Sequence, residues 1–272
     1  EQMIVSIILG SLLLILCIYI FLISPSWSAG RAFDFFEENR HFAHRGLHGD
    51  GIPENSLAAF RRACEAGYGI ELDVHLTADE KLVVFHDDTL TRMCGTDGTP
   101  EEKTLAELQV LSLAGTDERI PSFDEVLALV DGRVPLIVEL KGRSTKDMRI
   151  CKAVSERMKS YGGKWCMEAF NPFYVRWFRK NDRSVVRGQL SCRMKGGDGT
   201  GNAAQDFILR NLLLSFLARP HFIAYSVADR KSFALHAAKL CGGCPVGWTV
   251  RSDEEMEKAC GFHAVIFEKI RP

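Results

Sequence analysis

Short apolar runs alternate with amphipathic segments along most of this chain, and this alternation limits the possible folds more than any other feature. The strand-like runs cover residues 41–45, 69–76, 81–86, 135–140, 164–170, 185–190, 221–226, 245–250 and 264–267. Helical patterns lie between most of these runs, and several begin at a capping residue, namely Ser56, Thr104, Ser122 and Ser252. Strands that alternate with helices indicate a parallel sheet, and eight such units predict a (β/α)8 TIM barrel.

Nine strand-like runs are one more than such a barrel needs. The runs at 69–76 and 81–86 are separated by a few residues, whereas a parallel crossover needs about a dozen or more. We therefore predict that residues 81–86 form the returning arm of a hairpin, which extends the second strand beyond the barrel rim. This return would bring His86 back to the level of Glu71 and Asp73.

The N-terminal segment differs from the rest of the chain. Residues 3–23 carry no charge, and a run of about 20 apolar residues matches the hydrocarbon thickness of a bilayer. Trp27 follows as an interfacial aromatic residue. A signal peptide is the alternative, but its apolar core usually spans only about 7–15 residues after a basic start, and no Lys or Arg precedes this run. We predict a single-pass transmembrane helix in residues 1–24, a linker in 25–40 and a barrel domain in 41–272.

Charge and cysteine content bear on the location of the barrel domain. Arg31 and Arg40 follow the apolar run, so the charge bias favours the cytoplasmic side. The nine cysteines are odd in number and irregularly spaced, which fits a reducing compartment better than a disulfide framework. The lone pair Cys241 and Cys244 predicts a tight turn rather than a zinc or redox site. A net charge of −1 without a basic block argues against nucleic-acid binding.

Ionisable residues gather at the predicted strand ends. Glu71 and Asp73 lie two apart in one strand, so their side chains share a face, and Glu139 and Lys141 repeat this spacing in another strand. Active sites of TIM barrels lie at the carboxyl ends of the strands. Three converging carboxylates suit a hard cation, Mg²⁺ or Ca²⁺, better than zinc. Structural ion pairing, for example between Glu71 and Arg45, is the alternative.

Two histidines and an arginine belong to the same set of strand ends. His44 ends the first strand and His86 ends the hairpin arm, so the two imidazoles can supply a general base and a general acid. Arg45 offers planar, bidentate donors to phosphate oxygens, and Glu54 lies on a loop over the same mouth. These residues predict a site that binds a metal and a phosphate and moves a proton in each direction.

The combined motifs resemble the glycerophosphodiester phosphodiesterase family. They are HRG at 44–46, PENS at 53–56, ELDVHLTADEKLVVFHD at 71–87, IPSFDEVLALV at 120–130, VELK at 138–141 and WTV at 248–250. The resemblance runs from about residue 41 to the end of the chain. It implies a TIM barrel, a divalent metal, and hydrolysis of glycerophosphodiesters to an alcohol and glycerol 3-phosphate.

The resemblance also implies a role for individual residues. The implied roles are metal ligation by Glu71, Asp73 and Glu139, acid–base catalysis by His44 and His86, phosphate contact by Arg45 and Lys141, and substrate binding by Glu54 and Trp248. Ser56 replaces the threonine of the family's PENT motif, and both residues are good helix caps. Glu168 stands near a position where family members often carry serine, and it is expected to be an outward polar residue.

A long excursion, residues 191–219, separates the fifth and sixth barrel strands when the hairpin arm is left out of the count. Its glycine-rich part, residues 195–201, is predicted to be mobile. Its apolar part, residues 207–217, predicts either a helix that rests on the bilayer or a helix that packs across the barrel end.

Three functions remain open on the sequence alone. The first is a membrane-anchored phosphodiesterase for deacylated phospholipid head groups. The second is a lysophospholipase D that accepts one acyl chain, and the third is a catalytically silent lipid-binding protein. The complete set of His, Glu and Asp residues counts against silence, because unpaired buried charge is costly to keep.

Overall fold

The chain folds as a closed parallel barrel. The computed structural model describes residues 2–142, 144–194 and 200–272, so most of the segment predicted to be mobile lies outside the described residues. The strands are β1 (His41–His44), β2 (Gly69–Leu76), β3 (Leu82–Val84), β4 (Leu136–Leu140), β5 (Trp165–Ala169), β6 (Val186–Ser191), β7 (Phe222–Ser226), β8 (Cys244–Val250) and β9 (Ala264–Phe267). Their order is β1-β9-β8-β7-β6-β5-β4-β2, and β1 pairs with β2 to close the barrel. The predicted TIM barrel is confirmed.

The strand beyond the eight of the barrel is β3, the returning arm of the predicted hairpin. β3 runs antiparallel to the end of β2, with Val74 opposite Val84 and Leu76 opposite Leu82. The other pairings of β2, with β1 and β4, are parallel. The amide of Phe85 donates to the carbonyl of Asp73 at 3.0 Å, so the chain returns to the level of the β2 carboxylates immediately before His86.

Helices cover the outside of the barrel and precede it. They are α1 (Gln2–Ile23), α2 (Gly30–Glu37), α3 (Leu57–Ala66), α4 (Thr91–Cys94), α5 (Leu105–Gln109), α6 (Phe123–Val130), α7 (Arg149–Met158), α8 (Pro172–Asn181), α9 (Ala203–Arg210), α10 (Ser215–Ala218), α11 (Phe233–Leu240) and α12 (Asp253–Lys258). The predicted caps Ser56, Thr104, Ser122 and Ser252 each accept a hydrogen bond from a backbone amide in the first turn. These side chains fix where four helices begin.

An apolar plug fills the amino-terminal end of the barrel. Phe36 of α2 is fully buried, and its ring packs edge-on against Phe42 of β1 at 5.5 Å and Phe222 of β7 at 5.2 Å. Gly188 on β6 makes room for this packing, because a Cβ there would lie 2.1 Å from the Phe222 ring. With this end filled, the carboxylates of β2, β4 and β5 lie towards the opposite, carboxyl-terminal end of the barrel.

The first helix is long and apolar enough to cross a membrane, a property that a signal sequence near the N-terminus shares. Its last turns pack on the barrel domain, where Tyr19 stacks on Phe233 at 5.8 Å and Phe21 lies 5.6 Å from Phe216. Much of the apolar excursion therefore packs against protein, with Leu212 buried, whereas Phe207 on α9 is exposed.

We expect Phe36→Ala to lower the free energy of unfolding by about 3–5 kcal/mol, because it leaves a cavity among the rings of the plug. Chemical denaturation of the full chain in neutral detergent, followed by tryptophan fluorescence, measures this loss. Phe207→Ala, at an exposed position, is the matched control and should change the value by less than about 0.5 kcal/mol. Equal losses in the two variants would contradict the role given to the plug.

Candidate active site

Four carboxylates from three neighbouring strands meet inside the barrel. Parallel register places Asp73 of β2 opposite Glu139 of β4, and Glu139 opposite Glu168 of β5. Residues directly opposite each other on paired strands project to the same face, and Glu71 shares that face because it lies two positions before Asp73. All four side chains are buried, with relative exposures between 0% and 8%. The four acids lie on separate positions of the sequence, and the register between the paired strands brings their side chains together.

The position of Glu168 corrects the sequence analysis. The expectation that it is an outward polar residue is wrong, because Glu168 is 1% exposed and lies opposite the inward Glu139. Cys166, two residues earlier on β5, also belongs to the barrel interior. Burial, together with the charges of Glu139 and Asp73, raises the pKa of Glu168 well above its usual range.

The acidic cluster has the composition of a divalent metal site. Oxygen atoms of Glu71, Asp73 and Glu139 lie within 4.8 Å of one another. Burial and the negative charges of its neighbours raise the pKa of Glu71 well above its usual range, and burial also raises that of Glu139 although Lys141 opposes the shift. A divalent cation would relieve this repulsion, and the all-oxygen donor set suits Mg²⁺ and Ca²⁺ alike.

Two cations already balance part of this negative charge. Lys141 Nζ lies 2.9 Å from Asp73 Oδ1 and 2.8 Å from Glu139 Oε1. Arg45 Nε lies 3.6 Å from Asp73 Oδ2, and the Arg45 amide donates to Glu71 Oε2 at 3.0 Å. Burial alone would raise the pKa of Asp73, but the positive charges of Lys141, His86 and Arg45 hold it well below its usual range.

The backbone after β1 aims Arg45 at the cluster. Arg45 itself has φ of +55° and the following Gly46 has φ of +79°, so the chain turns sharply at the strand end. A Cβ at Gly46 would lie 2.9 Å from Ala59 on α3, so glycine is required there for space as well as for conformation.

Each predicted catalytic histidine is held by a carboxylate. His44 Nδ1 lies 2.7 Å from Glu268 Oε2, and His86 Nδ1 lies 2.7 Å from Asp87 Oδ1. An ionised carboxylate has no proton to give, so Nδ1–H donates in both pairs and Nε2 is left for other partners. His44 Nε2 is 4.0 Å from Glu71 Oε2. Burial foremost, and the charge of Arg45, lower the pKa of His44 to about 4, although Glu268 opposes the shift.

Glu54 connects the arginine to the second histidine. Its carboxylate accepts from Arg45 Nη1 at 2.7 Å and from Arg92 Nη2 at 2.6 Å. Arg92 Nε in turn donates to Asp87 Oδ2 at 2.6 Å. Glu54 therefore fixes the guanidinium of Arg45 and is joined, through Arg92 and Asp87, to His86.

Asn55 supports the acidic cluster from the same loop. Its side-chain amide is buried and donates to Asp73 Oδ2 at 2.8 Å, while its backbone amide donates to the Arg45 carbonyl at 2.9 Å. No sequence pattern had pointed to a role for Asn55, Arg92 or Glu268. For Glu268 a signal was available, since it directly follows the last barrel strand, at the end where active sites of this fold lie.

Trp248 lies beside a cavity at the mouth of the barrel. Its indole packs edge-on against Phe170 at 5.6 Å. The cavity has a volume of about 350 Å³. Its lining combines Trp248 and Thr249 with charged residues of the neighbouring loops, namely Arg193, Asp229, Arg251 and Glu255.

Comparison with proteins of known sequence finds relatives with glycerophosphodiester phosphodiesterase names. The enzyme of Caldanaerobacter subterraneus is 36% identical over 149 residues, which are 51% of this chain and 60% of the relative. Human glycerophosphodiester phosphodiesterase 1 is 30% identical over 189 residues, or 65% of this chain and 56% of the relative. A third relative, named human lysophospholipase D GDPD1, is 32% identical over 136 residues, covering 45% and 42% of the two chains. The chain thus spans about half the length of the curated relatives it matches.

Solved structures share the fold over nearly the whole barrel. An Oleispira antarctica phosphodiesterase in complex with the product sn-glycerol-3-phosphate superposes with a TM-score of 0.71 at 23% identity, covering 86% of this chain and 94% of that one. The glycerophosphodiester phosphodiesterase of Thermotoga maritima gives a TM-score of 0.64 at 26% identity, with coverages of 84% and 94%.

The model of the glycerophosphoryl diester phosphodiesterase family matches residues 44–193, more than half of the 272 residues. The matched range begins at His44 and contains the acidic cluster, both histidines, Arg45 and Lys141. On this match the chain belongs to the glycerophosphoryl diester phosphodiesterase family.

Proposed function

We propose that this protein hydrolyses glycerophosphodiesters, the deacylated head groups of phospholipids, to an alcohol and glycerol 3-phosphate. One observation carries the proposal: three carboxylates that could hold a cation, two cationic side chains and two carboxylate-supported histidines converge at one barrel mouth. Family membership and the names of the relatives support the same activity.

Glu71, Asp73 and Glu139 would hold the divalent metal, which Mg²⁺ and Ca²⁺ fit equally. When bound, such an ion supplies Lewis-acid polarisation of the phosphate. Glu168 lies opposite Glu139 on the next strand and does not belong to the three mutually close ligands.

The remaining side chains bind the phosphate and move protons. Arg45, fixed by Glu54, and Lys141 would contact the phosphate oxygens and stabilise the charge that grows on them during the reaction. One of the histidines takes the proton of the nucleophile, and the other donates a proton to the leaving alcohol. The nucleophile is either water or the neighbouring glycerol hydroxyl, since both routes need the same two imidazoles.

The mouth cavity favours a water-soluble head group over a lysophospholipid. Four of its ten lining residues are charged and, among the described residues, Trp248 is its only aromatic one, so an acyl chain there would bury charged groups without a polar partner. Lysophospholipase D activity is the second candidate because relatives carry that name. Choline release from glycerophosphocholine and from lysophosphatidylcholine, measured side by side, shows which of the two substrates the protein prefers.

We further propose that residues 1–24 form a membrane anchor and that the barrel domain, residues 41–272, lies on the cytoplasmic side. The exposed apolar surface of α1 supports the anchor, and the arginines that follow α1 support this orientation.

Metal removal should abolish the proposed activity. We expect the full chain in neutral detergent to release glycerol 3-phosphate from glycerophosphocholine, and to lose at least about 100-fold in rate with EDTA, because the buried carboxylates then repel one another and the phosphate. Added Mg²⁺ or Ca²⁺ should restore the rate. Undiminished activity after complete chelation would refute the role given to Glu71, Asp73 and Glu139.

Each of the two histidines should be needed for turnover. His44→Ala and His86→Ala should each lower kcat by about 10²- to 10⁴-fold, the usual contribution of general acid–base catalysis. The exposed His236, whose Nδ1 contacts the carbonyl of Ser232, provides the control His236→Ala, with an expected kcat near that of the wild type. A full wild-type kcat in either site variant would remove that histidine from the mechanism.

Glu268 should act through the orientation of His44. Glu268→Ala should lower kcat by about 10- to 100-fold with little change in KM, whereas Glu268→Gln, which keeps an acceptor oxygen for Nδ1–H, should retain more activity. Nitrogen NMR of the His44 ring reports whether the proton stays on Nδ1. The exposed Glu254 gives the control Glu254→Ala. An unchanged His44 tautomer together with unchanged kcat in Glu268→Ala would contradict this role.

A further inference from the structure

Five arginines gather at the amino-terminal end of the barrel, away from the candidate active site. Arg179 and Arg183 lie at and after the end of α8, Arg187 lies at the start of β6, and Arg219 precedes β7. Arg31, in α2, completes this arginine cluster. In the part of the chain that the structure describes, no member forms an ion pair with a carboxylate.

Backbone carbonyls accept from four of the five side chains, and one of these carbonyls belongs to Arg183, the fifth member. Arg31 donates to the carbonyls of Arg183, at 2.8 Å, and Ser184. Arg187 Nη2 donates to the carbonyl of Arg219 at 2.8 Å. Arg179 Nη1 donates to the carbonyls of Phe216 and Leu217, at 2.9 and 2.8 Å, one turn before Arg219.

The cluster is electrostatically unfavourable as it stands. Burial first, and then the charges of Arg179, Arg31 and Arg183, lower the pKa of Arg187 to about 10. His221, packed in the same place, has its pKa lowered to about 3 by burial and by Arg187 and Arg31. The carbonyl oxygens that accept from four of the five side chains carry no net charge, so they do not offset the repulsion between the arginines.

The end of the apolar helix α1 lies against this cluster. Arg219 Nη1 donates to the carbonyl of Ser24 at 2.9 Å, and its guanidinium lies 4.9 Å from the centre of the Phe21 ring. Ser28 Oγ lies 3.1 Å from His221 Nε2, and Trp27, just before it, is wholly exposed. If α1 spans a bilayer, these residues lie at the depth of the lipid head groups, where tryptophan is enriched.

We propose that the arginine cluster is a binding surface for the phosphate groups of anionic phospholipids in the leaflet next to the barrel domain. The proposal rests on the proposed membrane anchor but not on the proposed hydrolase activity. Guanidinium groups pair with phosphate oxygens in a planar, bidentate manner, and basic residues next to a transmembrane helix are attracted to anionic lipid. The phosphates would supply the negative charge that the surrounding protein does not.

The test compares lipids of equal chain length on the full chain in neutral detergent micelles. Dihexanoyl phosphatidylglycerol, dihexanoyl phosphatidylcholine and sodium phosphate are added in separate titrations, with EDTA present, and thermal unfolding is followed. At about a hundredfold excess over the dissociation constant, the anionic lipid should raise the melting temperature by on the order of 5 °C. The choline lipid and free phosphate should produce little change.

Paired variants locate the effect. Arg31→Gln combined with Arg183→Gln should lose at least half of the shift caused by the anionic lipid. Arg61→Gln combined with Arg133→Gln is the matched control, since Arg133 also donates to backbone carbonyls but lies elsewhere, and this control should keep the full shift. Asp73→Asn should keep it too, because the lipid does not bind at the candidate active site.

Three results would overturn the proposal. They are equal shifts with the choline and the glycerol lipid, an equal shift with free phosphate, and a full shift in the Arg31→Gln and Arg183→Gln variant. If this variant does not fold, the comparison of lipids on the wild-type chain still decides. Failure of the anchor itself would be seen separately, as recovery of the intact chain in the aqueous phase after detergent phase separation.

Discussion

Repulsion between buried carboxylates is the constraint on which the mouth of this barrel depends. The register of β2, β4 and β5 places Asp73, Glu139 and Glu168 in one row, and Glu71 lies beside them. Such a row is unstable in an apolar interior unless positive charge lies within a few ångströms. Lys141 supplies part of that charge, since it bridges two of the acids. The remaining imbalance would favour the binding of a divalent cation by these residues.

Orientation of the first histidine depends on closure of the barrel. His44 ends β1 and Glu268 follows β9, and these two strands form one of the seams by which the sheet closes on itself. The second histidine has its partner, Asp87, next to it in sequence, but Asp87 is itself held by Arg92, and Arg92 by Glu54 from the loop after β1. Both histidines therefore depend on contacts with distant parts of the chain. Loss of the barrel packing would disturb proton transfer at this site, as loss of an imidazole would.

Local patterns in the sequence predicted much of this molecule, because strands, caps and the hairpin depend on neighbouring residues. The hairpin is the clearest case, since the five residues between Leu76 and Leu82 are too few for a parallel crossover. Contacts between distant residues could not be predicted in this way. Glu268 lies 224 residues from His44, and the inward direction of Glu168 follows from its register with β4, which no local pattern contains.

The two ends of the barrel carry opposite charge, although the net charge of the chain is close to zero. The net charge of −1 is the sum of an acidic carboxyl-terminal end and a cationic amino-terminal end. At the amino-terminal end, arginines separated by up to 188 positions in sequence (31 to 219) come together. Strands of about five residues separate the two ends by roughly 17 Å, where two unit charges interact by only about 1 kcal/mol at an effective dielectric constant of about 20. A phosphate at the base and a phosphate at the mouth would therefore bind almost independently. That separation would let one barrel bind anionic lipid at one end and the proposed anionic substrate at the other.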